Sequence, residues 1–386
     1  MRIIIYTGKG GVGKTSMAAA SACEIAARGK KVIVVSTDQA HSLGDSFGKR
    51  IGRDPVEIAK NLDAMEIDTV YESEKSWGSM KGYMKRFLTA KGGDGIEVEE
   101  LLVFPGMEEL FSMFRILDLY EEGKYDVVIV DCAPTGETLS LLKYPEKLSG
   151  FIATVLPMKR KGLKVAGPAV EKMMKIPMPE DRIFDDFELV LNKMEWLQNL
   201  LLNKDIVSLR IVTTPERIVL AEARRNFTCL YLYNYNVDAI IVNRLYPKQA
   251  MEGYFSKWME SQQESLQLIK ESFFEVPKFY VELQPKELRK YQDLLRVGQE
   301  MYADILCEEV LFQKEIYFEK QDGEQVILGV YLPFAKKEEL SLSQSKLEVI
   351  LAFRNEVRRF PLPTKLLNKE IVSAEFKDGY LEISFQ

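Results

Sequence analysis

The stretch that most constrains this chain is "YTGKGGVGKT", residues 6–15. Gly8, Gly13, Lys14 and Thr15 satisfy the phosphate-loop spacing G-x-x-x-x-G-K-[ST], and the apolar run "IIIY" before it reads as a buried strand. After it comes "TSMAAASACEIAARG", an alanine-rich helix expected to end at Gly29. A strand feeding a helix through a turn this rich in glycine leaves the helix N-terminus and the loop amides aimed at one anion. The cradle is predicted to comprise Gly8, Lys9, Gly10, Gly11, Val12 and Gly13, with Lys14, Thr15 and Ser16 opening the helix. Lys14 is placed as a point charge on the β and γ oxygens of ATP, and Thr15 offers a hydroxyl to Mg²⁺.

Composition sets the outer limits. The 386 residues fit two domains, and 46% hydrophobic content is ordinary for a globular chain. A net charge of −6 gives no basic footprint, so no nucleic-acid partner is expected. No apolar run is long enough to cross a bilayer, and the N-terminus runs straight into strand and loop without room for a signal peptide. A cytoplasmic protein is expected. Cys23, Cys132, Cys229 and Cys307 are scattered, which speaks against a disulfide framework and against a C-x-x-C zinc clasp.

The first half alternates strand and helix as a parallel sheet requires. "KVIVVSTD" (31–38) and "YDVVIVDCAPTGET" (125–138) are apolar strands whose carboxyl ends carry Asp38 and Asp131. Ligands of open α/β sheets gather at that edge, so both aspartates should face the phosphate loop, either holding Mg²⁺ or orienting an attacking water. A further strand near 209–213 leads to Pro215 and Glu216, which open a helix, and a buried strand at 237–242 is expected to stop at Asn243. Asn243 carries the donor and acceptor pair that an adenine edge requires, and is also a common turn former.

Six motifs in order, "GKGGVGKT", "STDQAHSLGDSFG", "PGMEEL", "DCAPTGETLSLLKYPEKL", "PERIVLAEA" and "VNRLYP", resemble the arsenical-pump-driving ATPases and the related ATPases that target tail-anchored membrane proteins. The resemblance covers about residues 1–310. It implies a P-loop NTPase with an inserted helical subdomain, acting as a homodimer. It also implies that Lys9 reaches across the dimer to the partner's nucleotide, as an arginine finger does. By the same resemblance Asp38 polarises the attacking water, Asp131 senses the γ-phosphate through Mg²⁺, Glu216 contacts the nucleoside, and Asn243 contacts adenine. Gln39 stands where the family has proline, and Glu137 where it usually has histidine. His41 matches the switch motif, a place where a plain loop histidine fits equally well. Helical pattern over about 75–120 and 150–205 falls where the family inserts its client-binding helices. Met80, Met84, Met107, Met113, Met158, Met173, Met174 and Met178 lie there, as an adaptable apolar surface or as ordinary core. The stretch 88–100 between them reads as a loop.

Near residue 312 the period changes to two, β-branched and aromatic residues dominate, and Asp-Gly turns fall at 322–323 and 378–379. A small all-β sandwich is predicted over 312–386, after an ATPase domain over 1–311. It resembles the α-crystallin domain of small heat-shock proteins: Ala374, Gly379 and Leu381 fit A-x-x-x-(N/D)-G-x-L, and "VRRFPLP" fits the strand before it. Two functions fit these resemblances. One is a Mg-dependent ATPase whose dimer binds and releases a hydrophobic protein client or membrane-protein partner; the other is the ATPase subunit of an arsenite or anion pump. The single phosphate loop and the scattered cysteines favour the first. Partitioning ATPases of the same loop type lack the "APTG" and "PE" motifs seen here.

Overall fold

The structure is a computed structural model, and it describes residues 1–38, 42–90, 107–132, 181–251, 256–323, 325–345, 347–367 and 369–386. Its organising element is β1 (Arg2–Thr7), whose run of isoleucines is buried because both faces of the strand are covered. Around it assembles a sheet of eight strands. These are β2 (Val32–Ser36), β3 (Val56–Ala59), β4 (Leu62–Glu66), β5 (Val127–Asp131), β6 (Val207–Thr213), β7 (Val237–Leu245) and β8 (Lys278–Glu282), in the order β3-β4-β2-β5-β1-β6-β7-β8. Every pairing is parallel except β3 with β4.

Alternation along the strands divides the interior into two cores. Ile4, Tyr6, Val34, Ile129 and Ile241 face one side, against α1 (Lys14–Ala27) and a later helix, while Ile3, Ile5, Val35 and Val128 face the other. The predicted alanine-rich helix is α1, and Gly29 follows it at φ 97°, the left-handed turn that ends helices. α2 (Ser42–Phe47) is one short stretch after β2. Three helices cover the second face: α3 (Thr69–Ala90), α4 (Met107–Glu122) and α5 (Asp181–Leu202), packed on one another. They are the described part of the predicted helical insertion, with α3 beginning six residues earlier than expected; residues 150–180 lie outside the described residues. Met113 is core. Met80, Met84 and Met107 fall on α3 and α4, whereas Met158, Met173, Met174 and Met178 lie outside the described residues, as does most of 88–100.

The chain continues through α6 (Arg217–Leu232), α7 (Ser256–Ser272) and α8 (Tyr291–Tyr302), the last packed on α1. β7 corrects one expectation: the strand does not stop at Asn243 but carries on to Leu245, because β8 pairs with it up to that residue. β8 itself had no counterpart in the sequence reading.

The tail forms two antiparallel sheets as its period predicts. β9 (Tyr317–Asp322), β10 (Gln325–Tyr331), β14 (Ile371–Lys377) and β15 (Tyr380–Phe385) make one, in the order β14-β15-β10-β9. The other is β11 (Leu340–Gln344), β12 (Glu348–Phe353) and β13 (Glu356–Pro361). Asp378 and Gly379 both take positive φ at the β14–β15 turn, the backbone that Asp-Gly favours in a two-residue hairpin. The sandwich is docked on the α/β unit rather than tethered to it. Phe227 of α6 and Phe273 meet the ring of Phe334 at 5.8 and 5.6 Å, and Tyr231 meets Tyr331 at 5.4 Å. The Tyr317 hydroxyl donates to the Leu232 carbonyl at 2.5 Å, and Lys314 pairs with Glu275 at 2.7 Å. One hydrophobic cluster runs through both units.

Candidate nucleotide site

The loop between β1 and α1 owes its shape to two close approaches. A Cβ on Gly8 would stand 2.2 Å from the Val212 carbonyl oxygen of β6, and one on Gly13 would stand 2.4 Å from Asn243 Nδ2 on β7. Gly13 also sits at φ 92°, immediately ahead of α1, with no side chain capping the helix. The first amides of α1 are therefore left without a side-chain acceptor at a helix end that favours negative charge. Gly10 and Gly11 border a cleft of about 900 Å³ together with Gly13, Lys14, Thr15 and Ser16, and nothing lies within 4 Å of where a Cβ of either Gly10 or Gly11 would be. That is room for a backbone to approach a phosphate. Lys14 is nearly buried, and its ammonium donates to the Lys9 carbonyl at 3.4 Å, a long contact that a phosphate oxygen can replace.

β5 runs between β1 and β2, so Asp131 at its end is in register with both Tyr6 and Ser36. The carboxylate is fully buried, and neither oxygen has a hydrogen-bond partner at normal geometry. Burial pushes its pKa up to about 7, against the pull of the Thr15 hydroxyl and the Lys14 charge, with Asp38 adding to the rise. A buried, unpartnered carboxylate beside a threonine hydroxyl is a pair of hard oxygen donors, and a hard divalent cation fits it. The Thr15 hydroxyl lies 3.1 Å from that of Ser42 at the start of α2. Asp38, just past β2, lines the same cleft, and its own amide donates to Ser36 Oγ at 3.2 Å.

Other predicted residues take different positions. Glu216 holds the position just ahead of α6 without a side-chain capping bond and borders the cleft, accepting a hydrogen bond from the Thr214 hydroxyl at 3.4 Å. Asn243 borders it too, yet its amide is engaged with the protein: Nδ2 donates to the Val12 carbonyl at 2.8 Å and Oδ1 accepts from the Arg244 amide at 2.8 Å. It braces the loop. Val12 itself is core, with only its backbone serving the loop. Lys9 does not border the cleft; its ammonium pairs with Glu222 of α6 at 3.2 Å. Gln39, His41 and Glu137 lie outside the described residues.

Several cleft residues escaped the sequence reading. Ser42, Asp45 and Ser46 of α2 line it, as do Tyr246 beyond β7, Trp258 and Gln262 of α7, Glu282 at the end of β8, and residues 283–284 and 286–289 after it. For α2 the signal was present in "AHSLGDS", which begins two residues after Asp38. For the segment after β8 it lay in "VPKFYVELQPKELR", an alternating run closed by proline.

Residues 1–303 match the family of anion-transporting ATPases. The chain belongs to that family. Residues 323–385 match the HSP20-like domain found in ArsA, in agreement with the small-heat-shock resemblance of the tail. "Putative arsenical pump-driving ATPase 1" of Aquifex aeolicus is 36% identical over 382 residues, 96% of either chain. A relative of similar name from Chlorobaculum tepidum is 34% identical, over 100% of this chain and 96% of its own. "ATPase get3" of Aspergillus niger is 30% identical over 314 residues, 76% of this chain and 90% of its own. Among the described residues no helix is long and apolar enough to cross a membrane.

Proposed function

We propose that this family member is a Mg-dependent ATPase, cytoplasmic and dimeric, that uses ATP to bind and release a hydrophobic protein client. The observation that carries the ATPase reading is Asp131, fully buried at the strand end with the Thr15 hydroxyl and the Lys14 charge acting on it. Thr15 and Asp131 would hold Mg²⁺, which neutralises phosphate charge. The amides of residues 8–13 and the N-terminus of α1 bind the phosphates, and Lys14 turns from the Lys9 carbonyl to the β and γ oxygens. Asp38 orients the attacking water from across the cleft. Glu216 faces the nucleoside, and Asn243, braced against Val12, keeps one amide hydrogen for the base. Residues 1–311 carry this chemistry and 312–386 form the sandwich.

Lys9 supports the dimer reading by its placement. It stands 38% exposed and turned away from its own cleft, held by Glu222 on the surface where a second copy could be met. In a closed dimer it would leave Glu222 for the partner's nucleotide. Mixing tests this. Lys9→Ala keeps an intact nucleotide site and Asp38→Asn keeps an intact lysine, so activity should reappear when the two inactive proteins exchange subunits. No recovery despite demonstrated exchange removes the role in trans.

The cysteines favour a protein client over a metalloid. Cys23 and Cys307 belong to one core and Cys132 and Cys229 to the other, on opposite faces of the sheet. All four are buried, and burial pushes the Cys307 thiol up to about 12, far from the thiolate that a soft ligand needs. Stimulation of hydrolysis by an apolar helical peptide, with none by arsenite, is the expected outcome. The reverse result assigns the chain to anion efflux.

A further inference from the structure

With Asn243 Oδ1 and one of its amide hydrogens engaged in the protein, a single hydrogen is left for a base, and the cleft needs a further contact to recognise it. Besides the loop, and beside the polar side chains of Arg244, Gln262 and Lys286, the cleft is lined by Pro215, Tyr246, Trp258, Leu283 and Leu288, brought from four different segments of the chain. Trp258 stands on the first turn of α7 and 46% of its surface is open; Trp196 is more open still, and what singles out Trp258 is that its ring borders the cleft.

Its neighbours are arranged to hold it. The Trp258 and Tyr246 rings meet edge to face, with centroids 6.0 Å apart and planes at 62°. One helical turn along, Gln262 clamps the Tyr246 backbone from both sides: Oε1 accepts from the Tyr246 amide at 2.8 Å, and Nε2 donates to its carbonyl at 3.2 Å. The side-chain amide thus imitates a neighbouring strand and fixes Tyr246 just past the end of β7. Tyr246 in turn sets the edge against which Trp258 leans. A cleft of about 900 Å³ lies within the range of small-ligand sites, and its lining offers both the phosphate loop and the Trp258 ring.

We propose that Trp258 is the stacking platform for the base of the bound nucleotide, with Gln262 as a positioning residue acting through Tyr246. This rests on the nucleotide reading of the cleft. Stacking has no donor or acceptor code, so the site would tolerate any purine and would discriminate against ligands that lack a base.

The experiment uses the full chain with Trp77 and Trp196 changed to Phe, leaving Trp258 as the reporter. ADP with Mg²⁺ should quench or shift its emission, while pyrophosphate with Mg²⁺ should compete for the loop without changing it. Trp258→Ala should weaken ADP by about tenfold or more and leave pyrophosphate affinity as it was, with Trp258→Phe falling between. Gln262→Ala should weaken ADP less and be rescued in part by Gln262→Glu, which can still accept from the Tyr246 amide. Equal weakening of ADP and pyrophosphate, or a Trp258 signal indifferent to ADP that does bind, overturns the proposal alone. So does a Trp258→Ala variant whose only change is in self-association, which would make the ring part of a subunit contact. Failure of both ligands to bind the unaltered chain overturns the nucleotide reading and this proposal with it.

Discussion

The brace between Gly13 and Asn243 gives a quantitative handle on the loop. Gly13→Ala places a Cβ 2.4 Å from Asn243 Nδ2, at a residue held at φ 92°. A left-handed backbone costs a residue with a Cβ roughly 1–2 kcal/mol. The overlap also drives Asn243 away from the Val12 carbonyl, breaking a buried 2.8 Å hydrogen bond. Leaving such groups unsatisfied adds roughly 1–3 kcal/mol, so the single substitution should destabilise the protein by about 2–5 kcal/mol. Asn243→Ala alone should cost about 1–3 kcal/mol through the same bond. In Gly13→Ala/Asn243→Ala the lost bond is counted once and the clash is gone, so the double variant should be more stable than the sum of the singles by about 1–3 kcal/mol. Urea denaturation of all four proteins measures the cycle, with Gly10→Ala, where nothing lies within 4 Å of the added carbon, as the control. Additive singles, or a Gly13→Ala protein within about 0.5 kcal/mol of the parent, would refute the bracing role of Asn243.

Other expectations follow from named contacts. Because burial raises Asp131 to about 7 from the ordinary 3.8 of an aspartate, its stabilising contribution is fully present below about 4 and lost as the pH rises through 7. Asp131→Asn should therefore flatten nucleotide-free stability over that window while abolishing Mg-dependent turnover; an unchanged pH profile in denaturation counts against it. Glu222→Gln should raise hydrolysis by no more than about fivefold with ATP affinity unaltered, since the Lys9 pair is partly exposed and weak; steady-state kinetics giving slower turnover contradicts the competition. Removal of 312–386 should preserve ATP binding, because the cleft lies wholly within 1–311, but should uncover Phe227, Tyr231 and Phe273. Light scattering should then show self-association, and a monodisperse truncation with the parent's size distribution would contradict the docked arrangement.

What could be read in advance was whatever a local pattern dictates. The glycines of the loop, the apolar strands and the aspartates at their ends follow from spacing and period alone; the elements reappear as β1, α1, β2 and β5, with Asp38 lining the cleft and Asp131 buried beside Thr15 and Lys14. Asp-Gly turns placed the tail hairpins for the same reason. Side chains whose meaning comes from a distant partner were not readable. Arg210 looks like an interruption of an apolar strand, yet it is fully buried on β6 with Asp238 of β7 at 3.1 Å and the Cys307 carbonyl at 2.7 Å. Asn243 was identified by residue type, but its engagement with Val12, 231 positions earlier, exists only in the folded chain. β8 alternates buried and exposed residues at the sheet edge, and in five residues that pattern is too short to separate from a turn. Trp258 belongs to a helix that is polar over most of its length, where nothing in sequence marks one aromatic as facing a cleft.

α6 joins the two halves of the molecule. Glu222 on this helix holds Lys9 of the loop, while Arg224 lies over the Phe334 ring at 4.5 Å and Phe227 and Tyr231 carry the sandwich. The helix is only 16 residues long, and the segment leading into it supplies Pro215 and Glu216 to the cleft. A helix this short moves as a body, because shifting one end without the other would break its backbone hydrogen bonds. The sandwich therefore cannot be reseated while α6 stays still unless the aromatic contacts themselves are given up. Their burial in a core shared with the ATPase unit makes that costly. The tail thus packs as a wall of the ATPase unit, on the same helix that carries the Glu222 partner of Lys9.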